Sequence, residues 1–104
     1  MIVAVFRNRL VPGAQDEYGP MARQMSELVR SIPGYISHKL FVAEDGERAT
    51  IVEFESEQAV HEWKIHPGHL EAKKLGFTKF FSAFKYQICG VVHANTWERK
   101  ITAK

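Results

Sequence analysis

Four breaks cut this chain into stretches that each have room for a single strand or helix: Pro12-Gly13, Pro33-Gly34, Asp45-Gly46 and Pro67. Proline fixes φ and lacks an amide proton, and glycine admits left-handed backbone, so regular structure rarely runs through such pairs. Before the first break, Ile2 to Leu10 is rich in Val, Ile and Phe and reads as a strand. After it, Tyr18, Met21, Met25, Leu28, Val29 and Ile32 recur at steps of mostly three and four. That spacing gives one apolar stripe on a helix that Asp16 caps or starts and that reaches about Ser31. Tyr35 to Val42 and Ala49 to Phe54 are the second and third strands. The Asp-Gly between them is expected to supply the positive φ angles of a tight antiparallel hairpin. Ser56 is a good N-cap for a helix carrying Ala59, Val60 and Trp63. That helix should stop near Ile65, because Pro67 disfavours helical geometry at His66. Pro67 suits the first position of a further helix, running through Leu70, Leu75, Phe77 and Phe80 towards Phe81. Phe84 to His93 is expected as the last strand, ahead of a polar tail.

The order β-α-β-β-α-β, with its second helix broken in two, predicts an α+β, ferredoxin-like sandwich: a four-stranded antiparallel sheet with helices on one face. The strand period puts Val3, Val5 and Arg7 on one side of the first strand, and Ile2, Ala4, Phe6, Asn8 and Leu10 on the other. Both sides are apolar, and a single layer of helices covers only one. Sheet-to-sheet pairing of two subunits covers the second, which is the physical argument for a homodimer. At 104 residues the chain is one domain over residues 1–93. The tail, residues 94–104, is expected to pack on the partner subunit through Trp97 or Ile101.

The formal net charge is +2, which points to neither nucleic acid nor an anionic membrane as a partner. No apolar stretch approaches membrane-spanning length. A single cysteine, Cys89, forbids an internal disulfide framework and fits a reducing compartment. The N-terminus reads as a strand rather than a signal peptide, so a cytoplasmic location is the expectation.

The chain resembles the antibiotic biosynthesis monooxygenase family of dimeric α/β-barrel proteins. The resemblance runs from Val3 to about Val92. Its carriers are Ile32-Pro33-Gly34-Tyr35, Glu44-Asp45-Gly46-Glu47-Arg48, Val52-Glu53-Phe54-Glu55-Ser56, Trp63, His66-Pro67-Gly68-His69-Leu70-Glu71-Ala72 and Tyr86-Gln87-Ile88-Cys89. It implies two ferredoxin-like sheets paired into a barrel. It also implies oxidation of a small aromatic or quinol-like substrate with O2, without metal or flavin cofactor. Two alternatives come with it: haem binding and degradation, and a non-catalytic ligand-binding or stress-response dimer. For haem, the position that resembles that branch's axial histidine holds Lys73.

Four residues are candidates for catalysis. Asn8 is an amide on an apolar strand face and needs a partner or a ligand, unless it bonds backbone or water at the strand end. The resemblance adds that Asn8-Arg9-Leu10 matches a segment supplying a functional Asn in haem-degrading relatives. Trp63 packs the core by its own chemistry, while the resemblance implies a pocket wall against a planar ligand, and both can hold. His66 and His69 are general-base candidates by their ordinary pKa, though a His-Pro at a helix junction also serves as a cap. No third ligand accompanies them, so no metal site is expected. Phe6, Phe77, Phe81 and Tyr86 are the expected substrate-binding wall.

Overall fold

The computed structural model describes residues 1–101. The elements are β1 (Ile2–Leu10), α1 (Gln15–Val29), β2 (Tyr35–Val42), β3 (Arg48–Phe54), α2 (Glu57–Ile65), α3 (Pro67–Leu75), a π-helical turn (Gly76–Phe80) and β4 (Phe81–Gly90). All neighbouring strands are antiparallel, in the order β2-β3-β1-β4. This is the α+β, ferredoxin-like arrangement that the sequence predicts.

Register decides which side chains meet the helices. Ala4 pairs with Val52 and Ile88, Phe6 with Thr50 and Tyr86, and Asn8 with Arg48 and Phe84. These residues share the helix-covered face. Val3, Val5 and Arg7, with Ala49, Ile51, Phe41 and Cys89, form the other. The main core joins Ala4, Val52 and Phe54 of the sheet to Val29 of α1 and Val60 and Trp63 of α2. A second cluster at the far end holds Ala14, Tyr18 and Phe80. Between these two clusters the helices stand off the sheet, and the space they leave is described below.

Local chemistry explains most boundaries. Ser56 caps α2 by accepting from the Ala59 N–H at 3.2 Å. Gly34 follows α1 at φ +91°, and a Cβ there would press on the Ala59 side chain. Asp16 is not the cap of α1. Ala14 holds that position without a side-chain bond, and Asp16 and Glu17 sit in the first turn, where their charges favour the positive end of the helix dipole. The β2–β3 hairpin also differs from expectation. Only Gly46 takes positive φ, while Asp45 instead accepts from the Glu47 N–H at 3.0 Å. The turn closes with Gly46 N–H on the Ala43 carbonyl and Ala43 N–H on the Glu47 carbonyl, the three-residue loop with a glycine bulge.

The last strand is Phe81–Gly90 and not Phe84–His93. Two physical reasons set the shift. Leu10 of β1 pairs with Phe81 and the Val11 N–H takes the Phe80 carbonyl, so pairing begins there, and Gly76 leaves room for the Phe81 ring, which a Cβ would strike. At the other end β1 runs out: Ile2 pairs with Gly90, and the Val91 N–H takes the Met1 carbonyl. Among the described residues no strand lies beside Val92 and His93. Trp97 and Ile101 of the tail are exposed, and the final residues 102–104 lie outside the described residues. No described helix is long and apolar enough to cross a membrane.

Candidate functional site

The break between α2 and α3 builds one end of the site. In an unbroken helix the Trp63 carbonyl would accept from the residue four positions on, which is Pro67 and has no N–H. The carbonyl instead takes the His66 N–H at 3.2 Å and His69 Nδ1 at 3.0 Å. A carbonyl only accepts, so His69 Nδ1 carries the proton and Nε2 keeps a free lone pair. The His69 ring lies flat on Trp63, with centroids 4.0 Å apart and planes 11° apart. Burial lowers the His69 pKa to about 4, with Lys73 and His66 adding to the fall and the Trp63 carbonyl opposing it. His69 is therefore neutral at physiological pH.

His66 has a different task. Its Nδ1 accepts from the Gly68 N–H at 3.1 Å and caps α3. It does not line the cavity, so of the two imidazoles His69 alone faces that space. Among the described residues no three His, Cys, Asp or Glu side chains converge as metal ligands would.

The cavity itself, about 360 Å³, lies between sheet and helices. Trp63 and His69 stand at one end, and Phe6, Phe77, Phe81 and Tyr86 are all in its wall. His38 is also in the wall, with its Nδ1 hydrogen-bonded to the Tyr35 hydroxyl at 2.7 Å. Burial and the Arg30 charge lower its pKa. The mouth is apolar and open, since Leu40, Phe77 and Phe84 remain substantially exposed.

Asn8 is not at the mouth, nor is it in the wall. It is only 2% exposed, and neither amide atom has a hydrogen-bond partner. Its neighbours explain the placement. Arg48, its pairing partner on β3, and Tyr18 on α1 both line the cavity in front of it. The Arg48 guanidinium stands 5.4 Å from the centre of the Tyr18 ring, and its Nε is buried without a partner. Burial pushes the Tyr18 phenol up, against the Arg48 charge and the adjacent Asn8 amide. That adjacency stops short of a formed hydrogen bond.

Tyr18 and Arg48 were not among the candidates read from the sequence. Tyr18 reads as one more member of an apolar helix stripe. Arg48 falls in the hairpin flank when the third strand is started at Ala49. Extending that strand by one residue and applying its two-residue period would have put Arg48 opposite Asn8 on the helix side.

The family model described as antibiotic biosynthesis monooxygenase matches residues 1–75. Among curated proteins, the uncharacterized protein YqjZ of Bacillus subtilis (strain 168) is 26% identical over 74 residues. That alignment covers 71% of this chain and 65% of the relative. Among solved structures, Rv0793 from Mycobacterium tuberculosis superposes with a TM-score of 0.82 at 16% identity, over 91% of this chain and 98% of that one. SnoaB from Streptomyces nogalater, described as a cofactor-independent oxygenase, gives 0.75 at 17% identity, over 89% and 94%. At such identities the structural likeness speaks for the fold.

Proposed function

Because this chain belongs to the antibiotic biosynthesis monooxygenase family, we propose that it oxidises a small aromatic or quinol-type molecule with O2, using no resident cofactor and working as a homodimer in the cytoplasm. The observation that carries this reading is the neutral His69, stacked on Trp63 at the edge of an apolar cavity with one nitrogen tied to backbone. Nε2 accepts the proton of a ring hydroxyl. Trp63 and the phenylalanines hold the ring and exclude water. The electron-rich anion then gives up electrons to O2. One oxygen atom enters the ring, the other leaves as water, and a phenol becomes a quinone.

Magnitudes test this scheme. A phenol near pKa 10 facing His69 near 4 makes the proton transfer uphill by about 8 kcal/mol. A turnover near one per second allows a total barrier of roughly 17 kcal/mol, so the step fits within it. The same mismatch favours a second reading, a protein that binds such molecules without turning them over. The homodimer is supported by the uncovered sheet face, where Val3, Val5 and Ile51 are only partly buried and Phe41 is exposed.

Haem fits the site poorly. Lys73 stands in the α3 wall at the position that resembles the axial histidine, and His69 of the same helix lies flat against Trp63. No step above runs through it. Oxygen uptake by metal-free protein, measured over a panel of quinols and phenols, decides between the two readings. Uptake above autoxidation that His69→Ala abolishes is the expected result. Saturable binding without uptake across the panel would overturn the enzymatic reading.

A further inference from the structure

The cavity wall is chemically one-sided. It contains Arg48 and Lys73 and no Asp or Glu. Arg48 makes no ion pair among the described residues, whereas Arg7 and Arg9 are both satisfied by the hairpin carboxylates Glu47 and Asp45. An arginine whose Nε–H is buried and unbonded is an expensive arrangement, since a desolvated donor keeps its full penalty until something accepts from it. Arg48 lines the cavity, and a guanidinium also takes both oxygens of a carboxylate through its paired Nη–H edge, so a carboxylate there would offset the cost of holding the charge. Behind it lies a second unpartnered group, the Asn8 amide, buried beside the Tyr18 hydroxyl.

We propose that Arg48 and the Tyr18 hydroxyl form a carboxylate subsite at the end of the cavity away from Trp63, so that the ligand is an aromatic acid. The inference rests on the oxidation reading for the fate of the ring, but not for its binding. Asn8 is the positioning residue: its amide, unbonded in the free protein, lies beside the Tyr18 hydroxyl and takes it up once the acid is bound. Strand geometry gives the ligand's length. Arg48 is four residues along β3 from Val52, which packs in the cluster that holds Trp63. Four residues span about 13 Å. With side chains reaching inward from both ends, that distance suits a two- or three-ring acid. Its carboxylate sits on Arg48 and its far ring lies beneath Trp63 and His69. A neutral quinol of the same size fills the apolar wall but leaves Arg48 unsatisfied.

The test is titration calorimetry of the full chain with naphthoate and with its methyl ester, two probes that do not react with oxygen. Naphthoate is expected to bind tighter than the ester. Arg48→Gln should weaken naphthoate on the order of ten- to hundredfold and leave the ester unchanged. Arg48→Lys should restore part of the preference. Asn8→Ala should lower the acid-to-ester ratio without removing it, a readout that packing alone would not move. The ratio in the unaltered protein needs no variant to fold. Equal binding of acid and ester overturns the proposal, and so does a preference that vanishes in Lys73→Gln but survives in Arg48→Gln. A naphthohydroquinone acid and its methyl ester, followed by oxygen uptake, separate the two readings. Tight binding of the acid without uptake sinks the oxidation and keeps the subsite, whereas equal uptake with both sinks the subsite and keeps the oxidation.

Discussion

Trp63 serves packing and ligand at once, so its truncation should be felt twice. It is 7% exposed and joins the main core. Trp63→Ala should cost roughly 3–5 kcal/mol in a denaturant melt, and affinity for any planar ligand should fall with it. Asn8 should behave in the opposite way. Its amide is buried with nothing bonded, so Asn8→Val removes a desolvation penalty of about 1–3 kcal/mol while filling similar space. A higher melting temperature is expected, together with a poorer ligand site. A drop in stability on that change would mean that the amide is bonded in the folded protein. His69 gives a pH signature. Its folded pKa, about 4, lies below the ordinary 6.5, so between those values only the unfolded chain takes up the proton. Stability is therefore lost as pH falls from about 6.5 to about 4, by up to roughly 3 kcal/mol. His38 adds to the loss in the same direction. Melts at a series of pH values should show this slope flattened in His69→Gln. Turnover that depends on Nε2 should persist down to about pH 4 and fail below it.

The elements were largely legible because the breaks are written in residue types that act locally. Pro33-Gly34, Ser56 and Pro67 each fix a boundary by their own backbone or capping chemistry, and the structure has them doing so. Gly34 gives the sharpest test. At φ +91° and with Ala59 in the way, Gly34→Ala should destabilise by at least about 1 kcal/mol, where an ordinary exposed glycine would tolerate the change. What was not legible depended on partners far along the chain. The ends of β4 are set by the two ends of its partner β1, which are not visible from composition between Phe81 and His93. The site split the same way. Trp63 and the aromatic wall followed from residue type and face. Arg48 escaped because one residue of strand length decides whether it is a loop cation or one that lines the cavity.

At the scale of the whole molecule, the two faces of the sheet make opposite demands. The helix face encloses the cavity; the other exposes Phe41 beside partly buried Val3, Val5 and Ile51. If two copies pair through that face, sedimentation at micromolar concentration should show a dimer, and Ile51→Glu should give a monomer of about half the mass, because a desolvated carboxylate opposes burial. A wild-type chain that stays monomeric across that range would remove the barrel from the proposal.

Pro67 is the position from which the chemistry of His69 is controlled at a distance. By withholding one backbone proton it leaves the Trp63 carbonyl, which takes the His66 N–H, room for a second donor, and the imidazole settles on that oxygen. Which of two ring nitrogens stays basic is thus chosen by an atom that is missing from the main chain. Pro67→Ala returns that atom, so a continuous helix becomes possible and the ring loses its tether. Nitrogen-15 resonances of His69 should then move from a single protonated Nδ1 pattern towards the averaged values of an imidazole that exchanges its proton between both positions. The reactive side chain would be untouched, yet its orientation would no longer be inherited from the fold.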